Sequence, residues 1–453
     1  MSSSTTTSYT KLNDVVIHDE EMDLKYDNNN NNNNDKIINE TKIDDKNNME
    51  DDNDTKATSS FGSAVLNTFN TMVGVGTLSL PFALRHGGWV MLILLFVVYI
   101  LATQAARLIG IMMDDDHSLK SYGDIAMKAF GKRGMALVTL IFSIELFCAC
   151  GMFLVLTGDT LNSIFPQYSQ QTFVLFSSIF MIPTALTTRL DFLAYLSFLG
   201  MTGSTVLLLV IVYLGGRSNV EDGSYLHPQP TRIWTTIEEA PFSIGLCIVG
   251  FAGHAVFPSI KNSMKNKKSY GKMMITSFTL AFIFYLTVAI LGYLMYGEDV
   301  EKEVDLNFRE GINNGKHGKF TFAVFAVSLT SWLVAINPAT KFGLCMNPVA
   351  KNLEQIFGVQ NSPIKVLLIR IILSGLCLGL CIILPFFAKM ASFIGALCSS
   401  FSSVIFPFYA YYTLSYEKLN TWERSMNLFI AFFGFVMCIT GLFGVIESFE
   451  LQN

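Results

Sequence analysis

Long apolar stretches follow one another along most of the chain, separated by short polar segments. An α-helix needs about 20 mostly apolar residues to cross the hydrocarbon of a bilayer, and only helices and closed barrels satisfy their backbone hydrogen bonds there. The stretches are long and continuous, which predicts helices and therefore an all-α integral membrane protein. We predict eleven transmembrane helices, over residues 61–84, 87–112, 134–158, 172–188, 192–215, 241–260, 271–296, 319–345, 364–386, 389–415 and 426–448.

Lysine and arginine gather in one of the two sets of alternating loops. In short loops these residues are retained on the cytoplasmic side of the membrane. An odd number of spans separates the termini, so we predict a cytoplasmic N-terminus and a lumenal or extracellular C-terminus at Asn453. The loops rich in bases contain Lys120, Lys128, Lys132, Arg133, Arg189, Lys261, Lys265, Lys267, Lys268, Lys272, Lys351, Lys365, Lys418 and Arg424.

The first 58 residues differ from the rest of the chain, because they are polar and acidic and include an asparagine run at residues 28–34. They contain too little apolar surface to offset the entropy lost on ordering. We predict that residues 1–58 form a disordered cytoplasmic tail and that residues 59–453 form one transmembrane domain.

Composition agrees with this assignment and excludes several classes of function. Hydrophobic residues make up 51% of the chain and charged residues 15%, against about 25% charged residues in a typical soluble protein. A net charge of −5 gives no reason to expect a nucleic-acid partner. The eight cysteines fall within or at the end of apolar stretches and lack the spacing of a zinc site. Without HExxH or GxSxG motifs, we expect neither an enzyme nor a bound metal or cofactor.

Two of the predicted spans are interrupted by glycines followed by a proline. Residues 74–81 in the first span read GVGTLSLP, and residues 250–258 in the sixth read GFAGHAVFP. Glycine costs about 1 kcal/mol relative to alanine in a helix, and proline removes a donor and clashes with the preceding turn. Two interrupted spans that lie five spans apart are typical of inverted-repeat transporters. We therefore predict two halves of five spans and one additional C-terminal span.

In such folds the unwound backbone lines a cavity near the membrane midplane. Half-helix N-termini offer free N–H groups to a carboxylate, and freed carbonyls receive an ammonium or an ion. That geometry suits a zwitterion such as an amino acid. The alternative is that the glycines only allow close helix packing. The predicted substrate-binding residues are Val73, Gly74, Val75, Gly76 and Thr77 in the first span, and Gly250, Phe251, Ala252, Gly253 and His254 in the sixth.

Ionisable side chains inside a bilayer are costly and usually functional. Glu145, near the middle of the third span, is the first candidate for a proton-binding group; the alternative is a permanently protonated Glu that bonds to a neighbouring helix. His254 is the second candidate because histidine titrates near pH 6.5, with a packing role as the alternative. Asp159 and Asp191 lie at span ends, where a solvated carboxylate or a helix cap is expected.

Neutral polar side chains offer a second type of ion site. Together they could present oxygen atoms to Na⁺, whereas a proton-coupled carrier could use them for hydrogen bonding alone. The sequence leaves H⁺ as the expected coupling ion and Na⁺ as the alternative. These residues are Asn67, Asn70 and Thr71 in the first span, with Thr330 and Ser331 in the eighth.

Several linked motifs occur in order between about residues 60 and 415. They are residues 67–89 (NTFNTMVGVGTLSLPFALRHGGW), 145–150 (ELFCAC), 158–161 (GDTL), 253–264 (GHAVFPSIKNSM), 291–297 (LGYLMYG) and 337–348 (NPATKFGLCMNP). Together they resemble the amino acid/auxin permease family, and within it the vacuolar amino acid transporters of plants and fungi.

The resemblance implies an eleven-helix carrier of LeuT-like architecture that moves amino acids together with protons and binds them at the two interruptions. A vacuolar or lysosomal membrane is expected, with the plasma membrane as the alternative. The family also includes sodium-coupled carriers and nutrient sensors. Two alternatives therefore stay open: a Na⁺-coupled carrier, and an amino acid sensor that signals through its N-terminal tail. The expected partners are an amino acid and the lipid bilayer; protein partners are unknown.

Overall fold

The computed structural model of the protein describes residues 59–186, 190–217, 223–236, 239–313 and 322–450, with the backbone alone for residues 75, 190–201, 312, 313 and 449. The predicted tail lies outside these ranges. The α-helices are α1 (Phe61–Met72), α2 (Leu80–Gly87), α3 (Met91–Asp115), α4 (Tyr122–Ile164), α5 (Gln170–Leu186), α6 (Leu190–Gly215), α7 (Ala240–Val249), α8 (Phe257–Ser263), α9 (Tyr270–Tyr296), α10 (Val304–Asn313), α11 (Phe322–Ile356), α12 (Pro363–Ile383), α13 (Phe387–Phe393), α14 (Phe406–Leu414) and α15 (Thr421–Glu450).

Eight helical segments within the described ranges are long and apolar enough to cross a membrane. The first predicted span is not among them and consists of the separate helices α1 and α2, of 12 and 8 residues. The fourth and fifth predicted spans contribute the shorter apolar helices Gln170–Leu186 and Thr202–Gly215. The prediction of an all-α membrane protein is confirmed, whereas the number eleven and the two halves of five spans stay predictions.

Large apolar side chains cover the outside of the helix bundle. Ile93, Phe180, Leu376 and Phe429 each expose between 60% and 66% of their surface. Such a surface would be strongly disfavoured in water, where large exposed apolar patches promote association. Hydrocarbon accepts it without cost, so the chain is a multi-pass membrane protein.

Two long helices, α4 and α11, pack against each other, and α11 also packs against α6. Helix α4 has 43 residues and begins with a capping box between Ser121 and Asp124. Gly131 has a φ of 68°, which bends the helix, since glycine adopts this conformation without a steric cost. At about 1.5 Å per residue the two ends of α4 are far apart. We call the face at Tyr122 the inner face and the face at Ile164 the outer face.

The predicted tenth span is not a regular α-helix. Between α13 and α14 it forms two π-helical segments, Ile394–Ser399 and Phe401–Ile405. It packs closely on α7, and a Cβ atom built on Gly395 would lie 1.9 Å from the carbonyl oxygen of Gly245. Glycine at residue 395 is therefore required for this contact, which fixes the tenth span against the first half of the broken sixth span.

A buried arginine joins three helices near the inner end of α11. Arg370 of α12 exposes 1% of its surface, and its Nε donates to Glu354 of α11 at 2.9 Å. Its Nη1 donates to Asn347 at 2.6 Å and to the carbonyl of Ala185 in α5 at 2.9 Å. A buried charge with this many partners holds its helices in one arrangement.

Candidate functional site

The first interruption lies between α1 and α2. The backbone is extended at Val73 and Gly74, and residues Val75–Ser79 form a 3₁₀ turn before α2 begins. The N–H of Thr77 donates to the carbonyl of Gly74 at 3.1 Å. The carbonyl of Val73 therefore lacks the partner that a continuous helix would give it, because that partner is the N–H of Thr77.

The second interruption lies between α7 and α8. Gly253 has a φ of 109°, which an L side chain rarely adopts, and a 3₁₀ turn at His254–Val256 follows it. The carbonyl of Gly250 accepts a hydrogen bond of 2.6 Å from the Tyr285 hydroxyl of α9. Here too the chain leaves the helix, and a side chain from a neighbouring helix satisfies a freed carbonyl.

The two interruptions lie side by side. A Cβ atom on Gly76 would lie 3.4 Å from the Val249 side chain and 3.6 Å from the Cα of Gly250. A Cβ atom on Gly253 would lie 3.0 Å from the Thr71 side chain. Glycine at these positions therefore lets the two broken helices touch. The structure brings together the two halves of the predicted substrate site.

A residue that the sequence analysis missed fills the first interruption. The ammonium of Lys341, on α11, donates to the carbonyls of Asn70 at 3.2 Å and Val73 at 3.3 Å. Its Nζ lies so close to Gly74 that a Cβ atom there would be 2.8 Å away. The sequence did carry a signal, because Lys341 is an ionisable residue within the predicted span 319–345. The rule that selected Glu145 selects Lys341 as well.

Glu145 is buried between α4 and the π-helical part of the tenth span. The hydroxyl of Ser399 donates to its Oε1 at 2.7 Å, and the hydroxyl of Ser402 donates to its Oε2 at 3.1 Å. A hydroxyl either donates or accepts. The two serines can therefore hydrogen-bond Glu145 both when it is ionised and when it carries a proton.

His254 is buried and turns away from the first interruption toward α3. Its Nε2 lies 2.8 Å from the carbonyl of Ala102, so the neutral ring carries its hydrogen on Nε2. Its Nδ1 has no hydrogen-bond partner among the described residues, and the ring packs on Phe257 and Phe278. A charged imidazolium would leave a buried N–H unsatisfied, so this environment favours the neutral ring.

The neutral oxygens that were predicted as Na⁺ ligands bond mainly within their own helices. The hydroxyl of Thr330 donates to Ala326 at 2.9 Å, and that of Ser331 donates to Val327 at 3.1 Å. The hydroxyl of Thr71 donates to the carbonyl of Asn67 at 2.8 Å. Of this set, Asn70 contributes a backbone carbonyl to the Lys341 ammonium.

Two cavities reach the interruptions. A narrow one beside Gly74, lined also by Leu156, Ser204 and Asn337, has about 10 Å³ of free volume, roughly what one water molecule needs. A wider one of about 600 Å³ opens at the inner face and extends to Ala255 in the second interruption. A molecule the size of an amino acid therefore fits beside Gly74 only after helices move apart, whereas the inner cavity already reaches the second interruption.

The expectation that Asp159 is a solvated or capping carboxylate is wrong. Asp159 exposes 7% of its surface, and its Oδ2 lies 2.8 Å from the ammonium of Lys302. The reason is tertiary: the segment around Lys302 and helix α10 folds over the outer end of α4 and removes the carboxylate from solvent. The side chain of Asp191 lies outside the described part of the structure.

Comparisons with known proteins agree with this geometry. The family model described as "Transmembrane amino acid transporter protein" matches residues 57–447. Amino acid transporter AVT1J of Arabidopsis thaliana is 31% identical over 421 residues, which cover 90% of this chain and 95% of the relative. Amino acid transporter AVT1C of the same plant is 29% identical over 404 residues, covering 86% of this chain and 70% of the relative.

Solved transporter structures share the fold at low sequence identity. The inward-facing conformation of Mhp1 has a TM-score of 0.53 at 12% identity and covers 88% of this chain and 90% of its own. The crystal structure of MhsT in complex with L-phenylalanine has a TM-score of 0.53 at 10% identity, with 84% and 98% covered. These similarities establish a LeuT-like transporter fold.

Proposed function

Because the chain belongs to the transmembrane amino acid transporter family, the amino acid/auxin permeases, we propose that it is a proton-coupled carrier of amino acids. Family and fold together support secondary transport of amino acids. Proton coupling, the ion-binding residues and the transport cycle are our proposals.

The observation that carries the choice of H⁺ over Na⁺ is the position of Lys341. Freed carbonyls in a broken transmembrane helix are ligands for a coupling cation. In this chain the carbonyls of Asn70 and Val73 already bind the ammonium of Lys341. A second cation at the same carbonyls would meet this fixed positive charge at contact distance. Lys341 thus serves as a built-in cation and removes the need for Na⁺.

Glu145 is the group that we propose takes up and releases the coupling proton. Both of its oxygens face serine hydroxyls of the tenth span, so each protonation state keeps hydrogen bonds. The inner cavity is lined by Phe142, which lies one helical turn before Glu145 on the same side of α4, so we propose that protons reach Glu145 from this cavity. The tenth span also packs on α7, so a change at Glu145 acts on the helix that carries the second interruption.

The substrate is proposed to bind between the two interruptions, at residues 73–77 and 250–254. Access from the inner face runs through the cavity that ends at Ala255. Access from the outer face requires displacement of α10, which packs on the 3₁₀ turn of the first interruption. When these elements move one after the other, a single site opens alternately to the inner face and to the outer face.

The purified protein in liposomes tests this proposal. Labelled amino acids should accumulate under an imposed pH gradient in the absence of Na⁺, by about tenfold per pH unit for one proton, because each unit supplies about 1.4 kcal/mol. Accumulation that follows a Na⁺ gradient and ignores the pH gradient would refute proton coupling. Imaging of the tagged protein against vacuolar, lysosomal and plasma-membrane markers tests the further proposal of an acidic organelle membrane.

A further inference from the structure

Three carboxyl side chains are buried together at α10 on the outer face, beside the half-buried Lys302. Asp159 of α4 exposes 7% of its surface, and Glu303 and Asp305 at the start of α10 expose 0% and 1%. The ammonium of Lys302 lies 2.8 Å from the carboxylate of Asp159. One ammonium therefore faces three carboxyl groups. Helix α10 packs at the same time on α4, on α11 and on the 3₁₀ turn of the first interruption.

The carboxyl oxygens of Glu303 and Asp305 lack donors. Both oxygens of Glu303 and both of Asp305 are buried without a hydrogen-bond partner among the described residues. Asp159 and Glu303 lie close enough for each carboxyl group to affect the ionisation of the other, and two carboxyl groups can hydrogen-bond only if one of them carries a proton. If all three were ionised, two buried negative charges would be left without compensation. The arrangement therefore requires bound protons.

The surrounding elements supply little positive charge to the cluster. Glu301 adds an exposed negative charge nearby, and the guanidinium of Arg309 donates to Ser328 of α11 at 3.2 Å. The 3₁₀ turn Val75–Ser79 and residues 322–340 of α11 contain no ionisable side chain. Among the described residues, Lys302 is thus the cation that faces the carboxyl groups.

Burial raises the pKa of Glu303, and it raises the pKa of Asp305 to about 7. For Lys302 burial lowers the pKa, but the neighbouring carboxylates outweigh it and raise the pKa overall. An outer cavity of about 270 Å³, lined by Lys302, His86 and Glu239, brings water to the edge of the cluster. Protons therefore have a route to these groups from the outer face.

We propose that Asp159, Glu303 and Asp305 form a proton-binding site that holds α10 closed over the first interruption. The ligand is the proton: within the described residues no three acidic, histidine or cysteine side chains are placed to hold a metal ion. The inference rests on the proposed function only in that α10 covers a transport site. It goes beyond that function by adding a second proton site, distinct from Glu145, that controls the outer entrance.

The sign of the pH effect follows from the exposure of the carboxyl groups. When α10 lifts, they meet water and their pKa values return toward about 4. Between pH of about 4 and about 7 the closed state binds more protons than the open state, so closure weakens as the pH rises through this window. Each proton that titrates in this window changes the closing equilibrium by up to about tenfold per pH unit, so a single proton accounts for up to about a hundredfold between pH 5 and 7.

Hydrogen–deuterium exchange of the full-length protein in lipid nanodiscs measures this directly. We would follow the amides of residues 304–313 at pH 5 and pH 7, corrected for the intrinsic pH dependence of exchange. The opening constant of α10 should rise about a hundredfold between these values in the unaltered protein. The double variant Glu303→Gln with Asp305→Asn keeps the shape and removes two of the three titratable carboxyl groups. The opening constant of α10 in this variant should change by tenfold or less between pH 5 and pH 7.

Glu301→Gln is the matched control, because Glu301 is exposed and lies two residues from Glu303; it should keep the hundredfold change.

The proposal fails if the unaltered protein opens equally at both pH values, or if the double variant keeps the full pH dependence. Restored protection on adding NaCl at pH 7 would identify a bound cation and overturn the proton assignment. If the double variant does not fold, the pH series of the unaltered protein and Asp305→Asn decide the question. Exchange needs no flux, so failure of proton-coupled transport would leave this test intact.

Discussion

Replacing Lys341 by methionine should convert the carrier from Na⁺-independent to Na⁺-stimulated transport. Methionine is also long and unbranched, so Lys341→Met removes the charge while filling much of the same space. The carbonyls of Asn70 and Val73, 3.2 and 3.3 Å from the ammonium, lose that contact. In the variant no positive charge occupies these two backbone oxygens of an interrupted helix, and they are ligands that Na⁺ accepts.

The size of the effect follows from the charge repulsion that is removed. A Na⁺ about 4 Å from an ammonium is disfavoured by about 4 kcal/mol at an effective dielectric constant of 20. Removing that repulsion raises the affinity of the carbonyls for Na⁺ by up to about a thousandfold, at 1.36 kcal/mol per tenfold. An affinity for Na⁺ that is too weak to detect in the unaltered protein would then reach the millimolar range that transport assays cover.

The assay is uptake of labelled amino acid into liposomes at fixed pH, with Na⁺ or a large organic cation outside. Uptake by Lys341→Met should rise several-fold with Na⁺, while the unaltered protein should not respond. Lys351→Met is the control, because Lys351 lies on the same helix but is exposed; it should behave like the unaltered protein. The reasoning is refuted if the Lys341→Met variant is folded and active yet ignores Na⁺, or if the unaltered protein already responds to it.

Three further substitutions test other parts of the account. Gly76→Val places side-chain atoms against Val249 and Gly250 and should lower flux at least tenfold, whereas Gly271→Val, at an open position, should leave flux nearly unchanged. Glu145→Gln keeps the hydrogen-bonding shape but cannot titrate, so it should abolish accumulation driven by a pH gradient while exchange of labelled amino acid continues; persistent accumulation would clear Glu145 of the coupling role. Arg370→Met leaves Glu354 as an unpaired buried charge and should cost about 3–5 kcal/mol of stability, seen as a lower melting temperature, and an unchanged value would show that the network is not stabilising.

The sequence allowed prediction of the features that depend on local chemistry. Glycines followed by prolines oppose a regular helix wherever they occur, so both interruptions were predicted from the chain alone. That they touch, through Gly76 and Gly250, depends on how α1, α2 and α7 pack. The spacing of five spans between the two interruptions predicted that they belong together, but it gave no contact between particular residues.

The features that the sequence analysis missed depend on contacts between distant residues. Asp159 meets Lys302 only because α10 folds back over α4. The serines that bond to Glu145 lie more than 250 residues after it in the sequence. They belong to π-helical segments that no local sequence pattern predicts. Lys341 differs from these residues, because its position within the predicted span 319–345 is evident from the sequence alone.

The central claim is that proton movement and amino acid movement are one process in this protein. Its most direct test is a liposome with a trapped pH-sensitive dye, no Na⁺ and no initial pH gradient, to which an amino acid gradient is applied. The account predicts that the amino acid drives protons across the membrane and that Glu145→Gln loses this proton signal while labelled amino acid still exchanges. Amino acid equilibration in the unaltered protein without any change of internal pH would contradict it.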